Sequence, residues 1–514
     1  MCKRFCSRAL FSNPVFRKLE AWGYLLILSI RGTGFSTSIF MNIALLQFGY
    51  ASVGCTGTGK EIGFNVTSGV HWTTEEAEEI GQDCAGEMKG MNLPIVTGYL
   101  VLNSFSTVIS TCSAPVFGSF VDSSPNRKIY TIATCAIYIL INFFHAFSTQ
   151  ENWLLMVLLG LFVQRIAYSF NVACIDGYCI EIAENEEEVM TLQSIGRVVE
   201  LSSMLLFLFF VGVLGFLVGN DIAVTARMGN IIFTCLALPL LYLSHKRLAP
   251  RPALRSISGG DSDSNYYSSR FFDTFSNLYK TLKDLKSSNR VLLQYLVGVS
   301  FIDSASGSII SLLPVYAMQQ LNIPNPSSLV GLTMVCSIPG ALLAKFLAEK
   351  RGTRFTLFTF VAGIMFGTSL LSALVYSDDA VGGIIGLCLL FGVTLGGIYP
   401  MQKSLYMTII PAGQEVEYQG LYSFFSQVAD FLPGLWFGFA VDSKLGGEKN
   451  SRRVGMLAPV FFHLVGILLC CVFLDEEGAK RKAEETRHKR VRVGEKARMV
   501  MPLGEEGLLV EEGL

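Results

Sequence analysis

The sequence predicts an all-α integral membrane protein with twelve transmembrane helices in two six-helix halves. Three observations predict it. Only 16% of the 514 residues are charged and 51% are hydrophobic, whereas soluble domains carry roughly 25% charge; mean hydropathy is +0.47. The apolar residues are gathered into runs long enough to cross a hydrocarbon core, which takes about 20 residues. A polar stretch at 244–290 divides these runs six and six. The same composition excludes a nucleic-acid-binding protein, a disordered chain and an average cytosolic enzyme. A formal net charge of −1 leaves no global field to select an acidic or basic partner.

In chain order, a cytosolic N-terminal segment, 1–21, precedes spans near 22–50, 94–121, 129–147, 153–180, 189–217 and 224–243. Segment 1–21 lacks the apolar core of a cleavable signal peptide, so the first span is expected to act as its own anchor. The linker 244–290 begins with a Ser-, Asp-, Gly- and Arg-rich part, 251–269, that reads as disordered. It continues with Phe271, Phe275, Leu278, Leu282 and Leu285 at helical spacing among Lys280, Lys283 and Lys286, so 271–286 reads as a helix on the membrane surface. The second half, 291–474, has spans near 291–318, 327–348, 354–376, 381–410, 418–441 and 454–474, and a charged tail, 475–514, follows. Six spans, a linker and six spans is the plan of transporters with a substrate site between two halves. Spans alone leave open another kind of membrane protein.

Lysine and arginine set the expected orientation. Five lie in 1–21, nine from Lys246 to Arg290 and nine from Lys480 to Arg498, so both termini and the linker are expected in the cytosol. Loop 442–453 disagrees, because it should be exterior yet holds Lys444, Lys449, Arg452 and Arg453. The long exterior loop 51–93 has only Lys60 and Lys89, an N-glycosylation acceptor at Asn65, and a candidate disulfide between Cys55 and Cys84. Two free thiols are the alternative there. In the tail, Glu505 to Leu509 resembles an acidic dileucine sorting signal.

A charge at the bilayer centre costs at least about 2.5–3.5 kcal/mol, so each ionisable residue inside a span is a site candidate. Arg31 lies in the first span. Arg165 and Asp176 lie in the fourth, three turns apart and expected on one face. Gln193, Arg197 and Glu200 form a stripe in the fifth, Asp303 sits among serines and Gly307 in the seventh, and Ser423, Gln427 and Asp430 form a stripe in the eleventh. One reading is a polar cavity between the halves, where cations hold a carboxylate and carboxylates hold an ammonium or carry a proton. The other is ion pairing that fixes the bundle.

Residues Gly118 to Lys128, with Asp122, Arg127 and Lys128, resemble the signature loop of the major facilitator superfamily. There Asp122 can cap a neighbouring helix N-terminus, while Arg127 and Lys128 are expected to hold the loop in the cytosol. A degraded copy at 340–354 has Ala344 in place of the Asp and retains Lys345. The stretch 395–442 looks like the autophagy-related vacuolar effluxer branch of that superfamily. It has Gly396-Gly397, the basic-Ser pair Lys403-Ser404, and Glu415, Glu417, Tyr418, Gly420, Leu421 and Tyr422 in place; 191–201 matches that branch more loosely. The sequence departs from it where Ser29 and Ile30 occupy acidic-aromatic positions ahead of Arg31, and where Tyr399 replaces a Gln.

The resemblance implies the major facilitator fold and amino-acid efflux from a vacuole or lysosome into the cytosol. Asp303 and Asp430 are then candidates for ammonium or proton binding, Arg31, Arg165 and Arg197 for carboxylate contact or locking of the halves, and Glu415 and Glu417 for a gate. Another small organic solute, or a non-transporting receptor that kept the fold, are the other readings. The chain has no H-E-x-x-H motif, phosphate-cradling loop or nucleophile elbow, so no enzyme is expected. No metal or cofactor is expected, with proton coupling left open; the expected partners are a small molecule and the bilayer, and the expected state is a monomer.

Overall fold

The computed structural model of the chain describes residues 14–52, 95–122, 124, 127–218, 221–250, 279–281, 283, 285–287, 289–321, 327–374, 381–411, 414–443, 451–481 and 483. Asn65, Cys55, Cys84, the first part of the linker and most of the charged tail lie outside these residues. The first half contains α1 (Leu19–Ser52), α2 (Ile95–Asp122), α3 (Arg127–His145), α4 (Trp153–Ile182), α5 (Glu186–Leu217) and α6 (Ile222–Arg247). The second contains α7 (Arg290–Leu321), α8 (Ser327–Arg351), α9 (Thr353–Leu374), α10 (Val381–Ile409), α11 (Glu415–Val428), α12 (Phe431–Asp442) and α13 (Leu457–Ile467), which a π-helical turn extends over Leu468–Val472.

Among the described residues eleven helices are long and apolar enough to cross a membrane. The eleventh crossing differs from the single helix expected at 418–441. It is built from α11 and α12, broken at Ala429-Asp430, so the Ser423–Gln427–Asp430 stripe does not continue on one helix. Side chains such as Leu206, Phe209, Phe216 and Leu217 on α5 are more than 70% exposed. Exposed apolar surface of this extent has its partner in lipid.

The ends of the helices follow local rules. Asn185 caps α5 by accepting from Glu188 N (2.9 Å), and Glu186, Glu187 and Glu188 complement the positive end of that helix. Asp221 caps α6 through Val224 N. Gly352 turns the chain between α8 and α9 at φ +86°, where a side chain is disfavoured. Alternating crossings place residues 14–18, the described ends of the linker at 248–250 and 279–289, and residues 473–481 on one side, which we call the linker face. Lys18 Nζ donates to Ile182 O there, and Lys480 reaches Glu186 at 2.7 Å. One of the anomalous cations of 442–453 has a structural use: Arg453 donates to Ser372 O and Ala373 O in the last turn of α9, on the opposite face.

Small residues set the closest helix contacts. A Cβ on Gly340 would lie 2.2 Å from Val393 O, and one on Gly396 2.0 Å from Ser337 O, so α8 and α10 meet backbone to backbone. Gly396→Val is expected to destabilise the fold by about 1–3 kcal/mol or more. The check is the thermal unfolding midpoint in detergent, and an unchanged midpoint would refute the close packing.

Candidate functional site

On the linker face, α2 is drawn against α11 by a carboxylate. Asp122, fully buried, accepts from Val416 N (3.3 Å) and Glu417 N (2.8 Å), two unsatisfied amides of the first turn of α11. Arg127, 2% exposed, lies 2.7 Å from Asp122, also pairs with Glu181 of α4, and reaches Glu415 of α11 at 3.6 Å. Gly118 makes the approach possible, since a Cβ there would meet Val416 O at 2.3 Å. One cluster therefore ties three helices of the first half to the second and closes this side. Arg127 is a buried member of this cluster. The reason is that three carboxylates converge there and need an interior cation. Lys128 is half-buried at the start of α3, and Lys345 pairs with Glu349 on its own helix.

Beyond this closure lies a cavity of about 350 Å³ lined from both halves, within the range of small-molecule sites. The first half supplies Tyr24, Arg31, Tyr168, Asp176, Gln193, Arg197 and Glu200; the second supplies Ser337, Tyr399 and Lys403, with apolar residues between. Glu200 is held between two arginines, 3.2 Å from Arg31 and 2.9 Å from Arg197. The guanidinium carbon of Arg31 is 5.5 Å from the ring centre of Tyr168, and that of Arg197 is 5.3 Å from Tyr399. Lys403 Nζ is 2.6 Å from Asp176 Oδ2, a pair that crosses from one half to the other. Arg31 is 6% exposed, yet its Nε and Nη1 have no hydrogen-bond partner. The wall thus offers donors for a carboxylate and acceptors for an ammonium.

The structure gathers Arg31, Asp176, Arg197, Glu200 and Tyr399 at this cavity and brings Lys403, the basic member of the Lys403-Ser404 pair, into the same wall. It separates Arg165 from Asp176. Arg165 donates to Asn103 O and Thr107 Oγ1 of α2 instead, because a position three turns away along α4 meets α2 and not α10. Asp303 and Asp430 do not line the cavity wall. Glu417, fully buried at the start of α11, belongs to the closure. Sequence reasoning missed Tyr24, Tyr168 and Glu181. An acidic residue at the inner end of the fourth span was a signal for Glu181; the tyrosines carried none, since buried aromatics are common. Among the described residues no group of three or more His, Cys, Asp or Glu is placed to hold a metal ion.

Two helical halves around a charged central cavity, sealed on one face by helix-to-helix ion pairs, define a membrane transporter of small molecules rather than an enzyme. The sequence model of the Major Facilitator Superfamily matches residues 91–432, and the chain belongs to that superfamily as a multi-pass membrane protein. It is 22% identical over 391 residues to the "Uncharacterized MFS-type transporter YxiO" of Bacillus subtilis (strain 168), covering 74% of this chain and 84% of that one. Its fold is similar to that of the human organic anion transporter MFSD10 (TETRAN), with a TM-score of 0.60 at 14% identity, covering 89% of this chain and all of the other. It is also similar to FucP in the outward conformation (TM-score 0.56, 14% identity, 87% and 99% covered). A bacterial homologue of the iron transporter ferroportin, outward-facing, gives 0.57 at 13% identity, with 88% and 99% covered.

Proposed function

We propose that this chain is a secondary active transporter that carries small zwitterionic solutes, amino acids first, from a vacuolar or lysosomal lumen to the cytosol. The observation that carries the reading is Arg31, which lines a cavity that also holds Asp176 and Glu200 and whose buried Nε and Nη1 have no hydrogen-bond partner. A carboxylate accepts from the guanidinium while an ammonium is balanced by the two carboxylates. The resemblance of 395–442 to vacuolar effluxers supports the solute and the compartment, and the Lys and Arg of the N-terminal segment, linker and tail support a cytosolic linker face. On this reading the structure is the state closed to the cytosol, and transport needs the Asp122–α11 and Asp176–Lys403 contacts to break as the halves rock.

The test is counterflow of labelled amino acids in proteoliposomes, with and without a pH gradient. Exchange above protein-free vesicles is expected, and none across the amino-acid panel would overturn the reading. One observation favours a second solute class: Arg31, Arg197 and Lys403 outnumber Glu200 and Asp176 in the wall, which suits an organic anion. Competition by unlabelled dicarboxylates in the same assay separates the two.

A further inference from the structure

We propose that Arg165 of α4 and Asp430, at the break between α11 and α12, pair across the halves when the face opposite the linker closes. The pair is the outer counterpart of Asp176–Lys403. The depth of the two residues follows from a shared origin. Arg127 reaches both Glu181, at the inner end of α4, and Glu415, at the start of α11, which sets those two at one level. Arg165 lies 16 residues from Glu181, about 24 Å along α4, and Asp430 lies 15 residues from Glu415, about 22 Å along α11. Asp122 belongs to the same cluster. Thr107 lies 15 residues from it, about 22 Å along α2. All three positions reach one depth.

Their direction follows from the seam between α2 and α11. Thr111 donates to Gln427 Oε1 across the halves (2.9 Å). Closer to the linker face, Gly420 lies against Ala114 O and Gly118 against Val416 O. Thr107 stands one turn beyond Thr111 on the same stripe of α2, and Asp430 stands three residues beyond Gln427. Arg165 donates to the Thr107 hydroxyl (2.5 Å) and to Asn103 O (2.9 Å). The two charges therefore flank the outer end of the seam, about one turn past its last bond, one on each half.

Neither charge is matched in this state. Among the described residues Arg165 has no carboxylate partner, and Asp430, exposed at the break, has no cation partner. A lone charge inside a span is costly, and opposite charges attract strongly where the dielectric is low. When the halves rock, the Asp122–α11 and Asp176–Lys403 contacts separate and the outer ends of α2 and α11 approach. The new ion pair offsets part of what the inner contacts lose, which keeps the two states close in energy. This lock rests on the proposed alternation of the halves and not on which solute they carry.

The full chain is tested without solute in two arms. The first combines Arg165→Cys with Asp430→Cys, places a protease site in the linker at 251–269 and uses copper phenanthroline as the oxidant. A disulfide that holds the halves together after cleavage is expected, above the level in either single variant. The second arm uses sealed vesicles of defined orientation and a cysteine at Ser337, in the cavity wall. Its labelling by an impermeant thiol reagent from the linker side measures the state closed on the opposite face. Arg165→Asp and Asp430→Arg are each expected to slow this labelling about tenfold, on the order of one charged hydrogen bond. The two substitutions combined should restore it, which a merely structural role would not do. Arg165→Cys removes a charge from a span, which lipid tolerates, so the first arm decides if Arg165→Asp fails to fold. A disulfide no more frequent than in the single variants, or a charge swap that recovers nothing, overturns the proposal. A disulfide and a recovered swap in protein that counterflows no solute would overturn the transport reading and leave the lock standing.

Discussion

Arg127→Ala is expected to cause the largest loss of fold stability and to leave the linker face unable to close. The side chain is 2% exposed and is the cation shared by Asp122, Glu181 and Glu415. Removing one partner from a buried ion cluster leaves uncompensated charge, at a cost of about 3–5 kcal/mol. Part of that cost falls on the closed state alone, because the Asp122 carboxylate joins α2 to the first turn of α11. Arg127→Lys should recover little, since an ammonium does not reach three carboxylates with one planar fork. Thermal unfolding in detergent checks the first effect. The second is checked by the reaction of a cysteine placed at Ser337 with a thiol reagent applied from the linker side, which should rise in the variant. Ser337 lines the cavity beyond the closure. An Arg127→Ala protein as stable and as closed as the parent would remove this cluster as the gate.

Arg31→Gln is expected to raise the KM for a carboxylate-bearing solute by about 10- to 100-fold, the equivalent of one charged hydrogen-bonding group at about 1.5–3 kcal/mol. Fold stability should fall less than in Arg127→Ala, because Glu200 keeps Arg197 at 2.9 Å. Arg31→Lys should not rescue affinity. A single ammonium cannot hold Glu200 at 3.2 Å, rest on Tyr168 and keep the planar fork that a carboxylate needs. Arg197→Gln is expected to have the smaller effect, since that side chain is 31% exposed and its charge is already spent on Glu200 and Tyr399. Initial-rate uptake at varied solute concentration separates KM from maximal rate. Equal kinetics for Arg31→Gln and the parent would place the carboxylate elsewhere.

Much of the fold was legible because a bilayer reads sequence locally. Each span must be apolar over its own length, whatever it touches. Signals within one short segment were legible too: Arg197 and Glu200, three apart, form the pair their spacing suggests, and Asp122 lies where a helix-capping carboxylate is useful. The break at Ala429-Asp430 was not legible, because 418–441 reads as one membrane-length run despite Ser423, Gln427 and Asp430, and hydropathy does not report a change of direction.

The sequence by itself determined a membrane protein in two halves, the residues of the loop that closes one face, and the short list of charges that lipid would not tolerate. Only the tertiary structure decided which of those charges meet. It joined Lys403 to Asp176 across 227 positions of chain and led Arg165 away to α2. It also left Asp303 and Asp430 outside the lining of the cavity. The physical reason is range. Hydrophobic transfer acts residue by residue along a span, while an ion pair in a low dielectric depends on a few ångströms between helices that no local pattern encodes.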